Sequence, residues 1–292
     1  MHVGRPPAYV GHPWKPSRSL LRTIVQNAWN HDISAIATQL AFHFTFCFFP
    51  MLLVLGVVLT WIEAPFLFAR IMTALHTVLP PSATALVDQV LMEVRLGSNW
   101  QIFTAGLSLA LWSAVTGLEL TITAINQTYG VRDDRPYWKR FLLALVLTLV
   151  LAVFLVVATA LVLGGRWLGV RIAGWIGRDS WFLTIWTLAR WPTVLLSVMT
   201  GLLVLYTVAP KLPISAARAF PGAVVAGMGW VATTIVFGWY INSYASYNRV
   251  YGSIGGMIIL MLWLYVAGIA ILLGAEVNGA LYQRRHLHKQ EP

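Results

Sequence analysis

Apolar residues gather along this chain in six long runs, at about 36–62, 101–125, 141–164, 182–208, 220–241 and 253–281. Each reaches the roughly 20 residues that an α-helix needs to cross the hydrocarbon core of a bilayer. None shows the ten-residue alternation of a barrel strand, and lipid offers backbone groups no partner outside helices and closed barrels. The pattern predicts an all-α polytopic membrane protein with six transmembrane helices. Pro6, Pro7, Pro13 and Pro16 mark residues 1–30 as an N-terminal arm without a cleavable leader. Residues 31–284 form one transmembrane domain and 285–292 a short tail. The longest connection, from Glu63 to Trp100, repeats apolar residues at near-helical spacing on both sides of Pro80–Pro81. It predicts two short amphipathic helices on the outer face.

Composition narrows the class. Of 292 residues, 58% are hydrophobic and 10% charged, against about 25% charged in soluble domains. The mean hydropathy is +0.72, so lipid is the solvent for most of the surface. The net charge is +10, and its distribution gives an orientation. Arg5, Lys15, Arg18, Arg22, Arg132, Arg135, Lys139, Arg140, Lys211, Arg218, Arg284, Arg285 and Lys289 fall on one side of the predicted membrane, and only Arg70, Arg95, Arg166, Arg171, Arg178 and Arg249 on the other. The richer side belongs in the cytoplasm, which puts both termini there. Basic residues confined to short connections suit contact with anionic headgroups, and no nucleic-acid partner is expected. A homo-oligomer is compatible with this reading.

Soluble-enzyme chemistry is sparse. Cys47 is the single cysteine, which excludes an intrachain disulfide and a thiolate metal site. There is no phosphate loop, HExxH motif or serine elbow. Ten dispersed acidic residues offer no two-metal centre. We expect no cofactor, no metal and no enzymatic activity. The adjacent Asp133 and Asp134 read as a solvated turn.

Polar groups within the spans are costly and are functional candidates for that reason. His43 in the first span, Glu119 in the second and Glu276 in the sixth count to similar depths in the cytoplasmic third. Asn126, Asn278 and Arg132 extend that zone, and Arg132 and Arg135 would stand at its mouth. Together they predict an inward-open polar cavity bounded by the first, second and sixth spans. Arg190 falls in the outer half of the fourth span, placed to snorkel or to bind an anionic headgroup. Pro50 should kink the first span. Pro221, Gly222, Gly252, Gly255 and Gly256 are either hinges or points of close helix contact.

Four segments resemble the YihY/BrkB family of bacterial inner-membrane proteins: Ala41-Phe42-His43 leading to Phe49-Pro50; Asn126 to Gly130 followed by Arg132, Arg135 and Trp138; Pro221-Gly222-Ala223 with Trp230; and Tyr251-Gly252-Ser253 through Trp263-Leu264-Tyr265 to Gly274-Ala275-Glu276 and Asn278. The resemblance implies an inner-membrane location and six helices. It also marks His43, Asn126, Tyr129, Glu276 and Asn278 as motif positions, with no catalytic residue to carry over. The ribonuclease label once attached to the family finds no nuclease ligands here. The expected function is an exporter or flippase of a lipid-like or amphipathic substrate. A non-transporting scaffold for envelope assembly or virulence is the alternative, and a membrane nuclease comes far behind.

Overall fold

Long apolar stretches with few helix breakers leave the backbone one way to satisfy itself in lipid, and the chain takes it. The computed structural model describes residues 20–61, 73, 100–176, 180–243 and 247–287, and the elements among them are helices. They are α1 (Leu20–Asn30), α2 (Ile33–Trp61), α3 (Trp100–Thr128), α4 (Tyr137–Ile176), α5 (Ser180–Val208), α6 (Ala216–Ser243) and α7 (Tyr247–Leu287). Five stretches are long and apolar enough to cross a membrane: Phe103–Thr128, Tyr137–Thr159, Ile185–Val208, Ala216–Trp239 and Met257–Arg285. A shorter apolar stretch, Ile33–Phe48, lies in α2. Most of the expected first outer loop, with its two amphipathic helices, lies outside the described residues.

Two features depart from the apolar pattern. Residues 20–30, expected to belong to the N-terminal arm, form α1. Its Leu21, Val25 and Trp29 recur every four residues on one exposed face, while Thr23 and Ala28 are buried. This short amphipathic helix follows a proline-rich stretch that masks it in the sequence. Helix α4 runs for 40 residues, about 60 Å at 1.5 Å per residue, past the end expected near 164. Arg166 and Arg171 argue against lipid at that point, but arginine is a good helix former, so the helix outlasts the apolar span.

The six long helices pack as a ring in chain order. α2 lies against α3 and α7, α3 against α4, α4 against α5, α5 against α6 and α6 against α7, with α3 also touching α7 across the ring. Val115, Leu118, Ile122 and Ile125 of α3 point into a core completed by Ala144 and Leu147, Leu202, Leu205 and Tyr206, Ala219, Ala223 and Ala226, and Ala275. Large apolar residues such as Leu142, Val146, Leu149 and Val153 face outward, as lipid-facing positions should.

Small residues bring α6 and α7 close. A methyl group on Gly222 would collide with the Gly274 carbonyl and the Asn278 amide. Beside this contact Pro221 sits inside α6 without an N–H to donate. Asn278 ties α7 to the backbone on either side of this proline: its Oδ1 accepts from Gly222 N at 2.8 Å and its Nδ2 donates to Ala219 O at 3.0 Å. α2 runs through Pro50 as helix, and Gly252, Gly255 and Gly256 lie within α7.

α3 ends in a Schellman cap. Gly130 takes φ 68°, Val131 N donates to Asn126 O at 3.1 Å, and Gly130 N donates to Gln127 O at 2.9 Å. The chain turns there into the connection that carries Arg132 and Arg135. Between α1 and α2, Asp32 has φ 48° and its carboxylate accepts from Ser34 Oγ at 3.1 Å, a left-handed conformation that Asp tolerates.

Candidate functional site

Several connections meet at one end of the bundle. Asn126 Oδ1 accepts from Lys211 N at 2.8 Å, Arg135 Nη1 donates to Ala209 O at 3.5 Å, and Gln283 Nε2 donates to Thr128 O at 3.1 Å. His31, from the α1–α2 turn, sits 2.6 Å from Glu276 of α7. The α3–α4 and α5–α6 connections, the α1–α2 turn and the end of α7 therefore share one face, where Arg132, Lys139, Arg218, Arg284 and Arg285 are exposed. The Asp133–Asp134 pair is more than a solvated turn. The Asp133 side chain is nearly buried and lies 3.6 Å from Arg135 Nε. Asp134 stays exposed and pairs with Lys211, whose hydrogen bond holds its carboxyl below the usual carboxylate range.

Where the sequence predicts a polar cavity, α2, α3 and α7 bring together an apolar cluster. Ala37, Leu40, Ala124 and Leu272 pack there, with Phe44, Leu120 and Tyr265 against them. Glu119 is turned away for a helical reason. α3 meets α2 through Ser113, whose hydroxyl donates to His43 O at 2.7 Å, and through Gly117, where a methyl would lie 3.2 Å from His43 Cβ. Glu119 follows Gly117 by two residues, about 200° around the helix. Depth brings His43 and Glu119 to one level, but helix rotation separates them. Glu276 is fully buried and faces His31; its Oε2 has no hydrogen-bond partner.

The other expected site residues divide by whether their polar atoms are occupied. Asn278 ties α7 to α6, and Asn126 donates to Ile122 O at 2.9 Å while capping the α5–α6 connection. Tyr129 is buried edge-on against Tyr282, its hydroxyl without a partner, and burial pushes its phenol well above the ordinary range. The Arg190 guanidinium lies 5.2 Å over the Trp191 ring, with its Nε buried and unpartnered.

What does face open space is one side of α3. Trp112, Thr116, Glu119, Thr123 and Gln127 follow i, i+4, i+7, i+11, i+15 and share a face. Trp112, Thr123 and Gln127 are exposed, Thr116 and Glu119 half-buried. The threonine hydroxyls are satisfied within the helix, Thr116 by Trp112 O and Thr123 by Glu119 O, both at 2.9 Å. Beside this strip a cleft of about 160 Å³ is lined by Thr116, Glu119, Leu120, Ile122, Thr123 and Arg140. Arg140 comes from the first turn of α4. Sequence reasoning counts it among the loop charges and misses it, along with His31. The signal available for the cleft was the polar periodicity of α3.

A profile of the family described as "Virulence factor BrkB" matches residues 24–292. The chain belongs to the BrkB family. Among relatives of this BrkB-family protein, the putative ribonuclease-like protein YfkH of Bacillus subtilis (strain 168) is 31% identical over 277 residues, 94% of this chain and 99% of that protein. A UPF0761 membrane protein of Tolumonas auensis is 26% identical over 263 residues, 88% and 83% of the two chains. Another, from Aromatoleum aromaticum, is 28% identical over 289 residues, 92% of this chain and 65% of the relative. No solved structure matches the chain at a significant level.

Proposed function

We propose that this BrkB-family protein moves an amphipathic, lipid-like molecule across a bacterial inner membrane. One observation carries the reading: the uncovered polar strip on α3, with Glu119 at its centre. The ties made by Asn126, Asn278 and Tyr206 are satisfied by protein and explained by packing. Glu119 Oε1 is buried and has no partner, a cost that packing leaves unexplained. A strip running from Trp112 to Gln127 rises about 22 Å. It would let a headgroup travel beside α3 while its acyl chains stay in lipid.

In this reading α2 is the sixth span. Its 29 residues make about 43 Å of helix, more than the ~30 Å core. The basic end of the bundle faces the cytoplasm, as do both termini, and its arginines meet anionic headgroups. α1 lies in the interface with Leu21, Val25 and Trp29 toward lipid.

The test is transbilayer movement of a tracer phospholipid in proteoliposomes. Wild-type protein should accelerate it, and Glu119→Gln should slow it at least tenfold in protein of unchanged stability. Wild-type vesicles no faster than protein-free ones would refute transport of the tracer class. Loss of stability and activity together would favour the scaffold reading. If Glu119 couples transport to protons, its Gln variant loses the pH dependence of the rate.

A further inference from the structure

The cleft beside α3 holds charges of both signs. Glu119 Oε1 and Arg140 Nε are each buried and without a hydrogen-bond partner. They do not satisfy each other. The ion pairs among the described residues are His31–Glu276, Arg135–Asp133 and Lys211–Asp134, although Glu119 and Arg140 line the same cleft. A carboxylate acceptor and a guanidinium donor held apart require a ligand that offers both a donor and an acceptor. A plain anion satisfies Arg140 and is repelled by Glu119. A plain cation does the reverse, an apolar group leaves both atoms unpaired at the cost of buried polar groups, and an uncharged hydroxyl or amide can bridge the two atoms but neutralises neither charge.

We infer that the cleft recognises a zwitterion: a protonated amine donating to Glu119 and a phosphate accepting from Arg140, a few bonds apart. At about 160 Å³ the cleft has room for several water-sized groups, since one water needs about 10–15 Å³ of such space. Thr116, Glu119, Leu120, Ile122 and Thr123 all lie within the Phe103–Thr128 span, so a ligand can enter from the side of the membrane. The chemistry is that of a phosphoethanolamine group, borne by a phospholipid or free in solution. This deepens the transport reading above and rests on it for the consequence, though binding is measured apart from movement.

The experiment is native mass spectrometry of the full-length protein, with lipid affinity measured for phosphatidylethanolamine, its mono-, di- and trimethylated forms, and phosphatidylglycerol. Soluble glycerophosphoethanolamine is the second arm. Affinity of the wild-type protein should fall stepwise as methyl groups replace amine N–H donors, to about tenfold weaker for the trimethylated lipid. Glu119→Gln should flatten the series. Arg140→Gln should weaken every member, phosphatidylglycerol included. If the soluble compound binds as well as the lipid, the ligand is a free phosphoamine; if only the lipid binds, it is a membrane lipid. Both results keep the assignment. The methylation series uses unaltered protein, so a variant that fails to fold does not remove the test.

Equal affinity for all lipids would overturn the assignment even if tracer lipid still moves in proteoliposomes. A graded series with no movement would instead sink the transport reading and leave the site standing. Efficient cross-linking between two copies through Thr123→Cys, in a Cys47→Ser background, would show that a second copy covers the strip and overturn the lipid assignment.

Discussion

Gly274→Ala tests the packing that carries the bundle, because the structure gives it a same-chain control. A Cβ at Gly274 would lie 2.5 Å from Gly222 O, 2.6 Å from Tyr206 Oη and 2.8 Å from Ala226 Cβ. Ordinary contact begins near 3.4 Å, so α6 or the tyrosine must retreat by a little under 1 Å. The first obstacle is backbone and the second is the hydroxyl that donates to Ile271 O at 2.5 Å, so neither yields freely. Overpacking of this kind costs about 1–3 kcal/mol, and a weakened interhelical hydrogen bond about 0.6 more. The gain in helix propensity from Gly to Ala offsets about 1 kcal/mol. The net expectation is a loss of about 0.6–2.6 kcal/mol. Gly238, in α6, has nothing within 4 Å of its would-be Cβ, so Gly238→Ala should keep the propensity gain alone. Equilibrium unfolding in mixed detergent micelles should shift in opposite directions for the two variants. Shifts of the same sign within about 0.5 kcal/mol would refute the close α6–α7 approach.

Other consequences follow from the charged pairs and the tie residues. His31→Ala leaves the fully buried Glu276 unpaired and should cost about 2 kcal/mol, and adding Glu276→Gln should recover part of that loss in a double-mutant cycle of unfolding free energies. The Asp134 carboxyl is held low by Lys211, so its stabilising share is complete above the ordinary carboxylate range and is lost as pH falls through its lowered value. Asp134→Asn should abolish that acid-side component and leave unfolding between pH 5 and 7 unchanged apart from a small offset, since the pair is exposed. Asn278→Leu removes both ties to α6 and strands Gly222 N; unfolding should show a loss of about 1–3 kcal/mol, with stability and transport falling together, unlike Glu119→Gln.

Much of the fold was legible because lipid leaves few choices. The helices found at Trp100–Thr128, Tyr137–Ile176, Ser180–Val208, Ala216–Ser243 and Tyr247–Leu287 each contain an expected run. Helix ends were less legible where charge and helix propensity disagree, as at Arg166 and Arg171 in α4. The site was legible in one coordinate. Counting residues gives depth, which put Glu119, His43 and Glu276 at one level. Rotation about the helix axis depends on which residues touch a neighbour, and that was set by Ser113 and Gly117 against α2. Partners distant in sequence, such as His31 for Glu276 and Asn278 for the backbone beside Pro221, carry no local signal.

The central claim is that the unsatisfied charges beside α3 belong to a ligand rather than to the fold. A structure of the protein in nanodiscs of phosphatidylethanolamine and phosphatidylglycerol tests it most directly. The account predicts elongated density with its polar end between the Glu119 carboxylate and the Arg140 guanidinium. A cleft closed by direct Glu119–Arg140 pairing, with no lipid beside α3, would contradict it.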